Sequence, residues 1–150
     1  MIYLLDTDTF ILVIRGLKST QRLTHRRRAR NVVERSREAR RAGDSVGLSS
    51  ITVSELEFGA RKSGRYEEEI ARVQKLLAPF ELHDYDAVSC PPPYGRVRHE
   101  LETRGVPIGS LDLLIAAHAL ALDATLVSNN SAHFSRVTDL KTVNWLLPER

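Results

Sequence analysis

The sequence predicts a three-layer α/β/α domain built around a mainly parallel central sheet. Short apolar runs, Ile2 to Leu5, Val46 to Leu48 and Thr125 to Val127, alternate with longer segments of helical period, as parallel strands joined by crossover helices require. The segment Leu111 to Leu122 is apolar almost all round, so it belongs inside the structure rather than on its surface. At 150 residues the chain has the size of one folding unit, and a single domain over 1–150 accommodates it.

Taken in order, Ile2 to Leu5 is a buried strand that ends in a carboxylate, Asp6, and Thr7 to Ile14 opens a helix. A second helix runs from Ser19 to Ala42, where Ala29, Val32, Val33, Ser36 and Ala39 form a narrow apolar stripe among arginines, and Gly43 ends it. After the strand Val46 to Leu48, the residues Ser49, Ser50 and Thr52 offer caps for a helix carrying Glu55, Leu56 and Phe58. Tyr66 to Leu77 is amphipathic and stops at Pro79, and Phe80 to His83 supplies a third strand. Pro91, Pro92 and Pro93 cannot lie inside a helix, although Pro93 fits the first turn of one reaching Thr103. Ser110 is the expected N-cap of the buried helix. Thr125 to Val127 and Val143 to Trp145 complete the strands.

The composition, 42% hydrophobic and 27% charged, is that of a folded globular chain. No apolar stretch approaches the roughly 18 residues of a membrane span, and the first residues lack the basic flank of a signal peptide, so a cytoplasmic protein with no membrane association is expected. The one cysteine, Cys90, excludes an internal disulfide and a thiolate metal site. Charge is unevenly spread. From Lys18 to Arg41 there are ten basic residues against Glu34 and Glu38, a local +8 within a total of +3, which leaves −5 on the remainder. A basic segment beside an acidic body suits a chain that holds a polyanion with one surface and a cation with another.

Three acids stand where such a sheet would gather them: Asp6 after the first strand, Glu55 in the helix after the second, and Asp112 at the start of the buried helix. The carboxyl ends of parallel strands open onto one crevice. Carboxylates that converge there repel and need a cation, and oxygen ligands without paired Cys or His favour Mg²⁺ or Mn²⁺ over zinc. Such an ion can activate water against a phosphodiester. On the residues alone each acid also has a local use. Asp6 can cap the helix at Thr7, Glu55 can close a capping box with Thr52, and Asp112 can oppose its helix dipole. No general-base histidine is evident beside them, and His118, within the apolar helix, reads as a hydrogen-bonded core residue.

Four stretches carry a resemblance: Ile2-Tyr3-Leu4-Leu5-Asp6-Thr7-Asp8; Leu48 to Ala60 with Glu55 inside it; Gly105 to Ala119 with Asp112 inside it; and Ala124 to Asn130, followed by Phe134, Arg136, Val137, Asn144 and Trp145. In this order they resemble PIN domains, and more narrowly the VapC toxins of toxin–antitoxin pairs. The resemblance implies a Mg²⁺-dependent endoribonuclease that cleaves structured RNA such as tRNA, forms a homodimer and is inhibited by a cognate VapB-like antitoxin. It implies that Asp6, Glu55 and Asp112 are the catalytic, metal-binding acids. Where the family often has a fourth acid, this chain has Asn130, a neutral oxygen donor, and Asp8 takes a supporting place.

The rival reading is a non-catalytic RNA-binding module of the same fold, which leaves the three acids without a role. Asp6-Thr7-Asp8 also resembles the nucleophile loop of haloacid-dehalogenase-type phosphatases, but Phe10 stands where that pattern wants Thr or Val. The arginine-rich helix, with Arg26, Arg27, Arg30, Arg37 and Arg41 off its apolar stripe, is expected to meet RNA phosphates.

Overall fold

The computed structural model describes residues 1–18 and 21–148. The elements are β1 (Ile2–Leu5), α1 (Thr7–Gly16), α2 (Leu23–Arg41), β2 (Ser45–Ser49), α3 (Ser50–Lys62), α4 (Tyr66–Leu77), β3 (Glu81–His83), α5 (Pro91–Thr103), α6 (Ser110–Ala121), β4 (Thr125–Val127), α7 (Ser131–Phe134) and β5 (Lys141–Val143). The strands form one sheet in the order β3-β2-β1-β4-β5, and every neighbouring pair is parallel. The expected α/β/α fold with its parallel sheet is therefore present.

Adjacent residues of β1 point to opposite faces and seed two cores. Leu5 packs with Phe10, Val13, Val32, Leu48, Leu56 and Val73 from α1 to α4 and β2, while Leu4 packs with Val97, Leu101, Ile115, Ala116, Leu126 and Phe134 under α5 and α6. Two glycines permit close approaches. A side chain at Gly16 would meet Ala29 Cβ at 2.6 Å, where α1 crosses α2, and one at Gly47 would meet the carbonyl of Glu81 at 2.6 Å and the His83 ring at 2.8 Å.

Several boundaries differ from the sequence expectation, each for a local reason. The expected start of the second helix at Ser19 lies outside the described residues, and α2 itself begins at Leu23. All three prolines enter α5 at its first turn, where their missing N–H groups would have had no helical partner; the first turn closes by Tyr94 N donating to the Cys90 carbonyl at 3.2 Å. Gly109 rather than Ser110 caps α6. The last strand ends at Val143, because Asn144 turns the chain by accepting from Leu146 N at 2.9 Å and donating to Asn129 at 2.8 Å. Trp145 is buried from that turn, with its ring centroid 4.9 Å from that of Tyr3.

The strand order reverses at β1: the chain passes outward to β2 and β3, then returns to lay β4 and β5 on the other side. The crevice of such a sheet opens beyond the carboxyl ends of the strands at this switch, here between β1 and β4. Asp6 N donates to the Val127 carbonyl at 3.0 Å and extends that pairing to the edge of the crevice.

Candidate active site

Asp6 is the centre of the crevice. Its side chain caps α1 by accepting from Thr9 N at 2.7 Å, and its second oxygen accepts from the Ser128 hydroxyl, beyond β4. It is 4% exposed. Burial pushes its carboxyl above the usual range despite the hydrogen bonds from Ser128 and Thr9, and neighbouring Asp8 adds to the rise. No cationic side chain offsets this among those influences. The capping reading and the site reading thus hold for the same residue, one oxygen serving the helix and the other facing Ser128.

From Ser128 a chain of contacts crosses the crevice. The Ser128 hydroxyl accepts from Asn130 N at 2.9 Å, the Asn130 side-chain amide lies 2.9 Å from His133 Nδ1, and that nitrogen lies 2.9 Å from Asp112 Oδ2. Asp112 occupies the first turn of α6 and is one-quarter exposed. Asp6 and Asp112, on different elements, are in this way joined through three intervening residues. The sequence reading saw no general-base histidine beside the acids and did not single out His133, which the structure places against Asp112. Its only sequence signal was its place three residues beyond Asn130, ahead of the core residue Phe134.

Glu55 stands apart from this chain. It is partly buried on α3 and makes no hydrogen bond or ion pair among the described residues. The capping box with Thr52 does not form: Ser49 caps α3 by accepting from Ile51 N at 3.1 Å, and Thr52 is fully buried with its hydroxyl 2.9 Å from that of Thr7. That contact ties the start of α3 to the start of α1. Ser49 is also 2.8 Å from Nδ1 of the buried His118, which joins α3 to α6 and bears out the reading of His118 as a core residue. Glu55 lines a groove between α1, α3 and α4 whose floor includes Ile11, Ile14, Leu56 and Val73 and whose rim includes Arg15, Lys62 and Arg65.

Among the described residues no three His, Cys, Asp or Glu side chains lie close enough to form a direct ligand group for a metal ion. The donor chemistry nonetheless fits a hard cation. A buried carboxylate that makes no ion pair among the described residues gains most from a cation, and Mg²⁺ is held by one or two carboxylates while keeping several waters. Among the described residues no helix is long and apolar enough to cross a membrane.

The sheet is parallel, with Asp6 directly after β1 and Asp112 in the first turn of the buried helix α6. The family model described as PIN domain matches residues 3–140. Ribonuclease VapC2 of Rickettsia felis is 35% identical over 97% of this chain and 98% of its own length. A tRNA(fMet)-specific endonuclease VapC of Shigella flexneri is 37% identical over 65% of this chain and 74% of its own length. The crystal structure of VapBC2 from Rickettsia felis bound to a DNA fragment from their promoter superposes with a TM-score of 0.81 at 34% identity, covering 97% of this chain and 99% of that one. The chain belongs to the PIN-domain family and, within it, to the VapC ribonucleases, and PIN-domain nucleases are metal-dependent enzymes.

Proposed function

We propose that the chain is a Mg²⁺-dependent endoribonuclease, the toxin of a VapBC-type pair, that cleaves structured RNA such as tRNA in the cytoplasm. The observation that carries this reading is Asp6: a buried carboxylate at the topological switch point, raised by desolvation, with no ion pair among the described residues and linked through Ser128, Asn130 and His133 to Asp112. Asp6, Glu55 and Asp112 would hold the ion, in part through water, with Mn²⁺ as an acceptable substitute. The bound ion supplies an activated water and positive charge against the phosphodiester oxygens. The chain's own part would be to hold the ion with these carboxylates and to offer one of them as a proton acceptor. Asn130, the expected neutral oxygen ligand, has its side-chain amide 2.9 Å from His133 Nδ1.

The RNA class is supported by α2. Arg27, Arg28 and Arg30 line a groove of about 470 Å³ with Asn31, Leu146 and Pro148. Guanidinium groups along a groove suit a phosphate backbone. The antitoxin is supported by the groove at Glu55, whose apolar floor would take an amphipathic segment and whose acid would take a basic side chain from it. A homodimer follows from the same family reading. Incubating the purified protein with total tRNA, with Mg²⁺ and with EDTA, and mapping the new ends tests the proposal; intact tRNA in Mg²⁺ would count against it.

A further inference from the structure

We propose that His133 is a positioning residue of the metal centre, holding Asp112 through Nδ1 so that the acid is oriented before the ion arrives; this rests on the ribonuclease reading above. A carboxylate can only accept, so the 2.9 Å contact requires the proton on Nδ1, donated to Asp112 Oδ2. The Asn130 amide can then turn its oxygen toward the same N–H. Asp6 is already fixed by Thr9 and Ser128, whereas among the described residues Asp112 has no hydrogen-bond partner other than His133. Without that contact the Asp112 carboxylate would be free to rotate, and the ion would have to gather it. Packing does not explain the histidine. The core contact of α7 is made by Phe134, fully buried, while the His133 side chain is 42% exposed.

The test uses the full chain and reads Mn²⁺ binding by electron paramagnetic resonance, together with the melting temperature of the metal-free protein. His133→Leu removes the donor, and His133→Asn returns an N–H near the place of Nδ1. His133→Leu is expected to weaken Mn²⁺ binding about tenfold or more, with His133→Asn recovering to within about threefold of the starting protein, as loss and return of a group that orients a ligand should do. Melting of the metal-free protein is expected to be unchanged. Wild-type affinity in His133→Leu, or no recovery in His133→Asn, would overturn the assignment. Equal Mn²⁺ binding by the unmodified chain and by Asp6→Asn would instead overturn the site on which it rests.

Discussion

The hydroxyl of Ser49 lies 2.8 Å from Nδ1 of His118, so that the residue capping α3 is held by the last turn of α6. These are the helices that carry Glu55 and Asp112. His118 also meets the rings of Tyr85 and His83 edge-on, at 5.5 Å and 6.4 Å. Replacing it with Ala removes a buried ring and the hydrogen bond together, and should cost about 3 kcal/mol in a urea titration. Burial, aided by His83, holds the His118 imidazole below the usual histidine range. The unfolded chain therefore takes up a proton here before the folded one does. Stability from this group is complete above an unfolded-state value of about 6.5 and falls as the pH drops below it, a slope that His118→Leu should flatten.

Asp6→Asn, Glu55→Gln and Asp112→Asn should each nearly abolish RNA cleavage. The several kcal/mol of charge stabilisation that a divalent ion supplies correspond to a loss of roughly 100-fold or more. Wild-type activity in any one of them removes that residue from the site.

Asp6→Asn should also raise stability in the absence of metal. The Asp6 carboxyl lies above its unfolded value, so the folded protein binds the proton more tightly. The contribution of this group is full below the unfolded value of about 3.9 and is lost as the pH rises through the folded value. At neutral pH the charge is a cost, which the amide avoids while still able to accept from Thr9 N. A lower thermal midpoint for Asp6→Asn at pH 7 in EDTA would contradict this.

Ser128→Ala removes the donor to Asp6 and the acceptor of Asn130 N together. Cleavage should fall by about 10- to 100-fold, as for other groups that orient a metal ligand, with little change in RNA affinity. A change confined to KM would place Ser128 in substrate binding instead.

Replacing Arg27, Arg28 and Arg30 with Gln should weaken RNA binding and flatten the slope of log affinity against log salt by up to about three units. Mn²⁺ affinity should not change, since these side chains line a different groove from Glu55. Arg37 is a poorer choice for this role because it is paired with Glu34 at 2.8 Å. An unaltered slope would point to a protein partner for α2.

The sequence by itself determined the kinds and order of the elements except the short α7, which it did not foresee. Helical and strand periods are local properties, and so are the stripe on α2, the breaks at Gly43 and Pro79, and the placing of Asp6 and Asp112 at element ends. Where it erred, one local signal stood in for another: Thr52 and Glu55 match a capping box, but Ser49 begins the helix, and Trp145 reads as strand although it is buried from a turn. Only the tertiary structure decided which groups meet. Ser128 reaches Asp6 across 122 positions, His118 reaches Ser49 across 69, and His133 reaches Asp112 across 21. Those contacts depend on β4 lying beside β1 and on α6 crossing behind it, an ordering of strands that no local period encodes. No local period marks His133, which only the fold carries to Asp112.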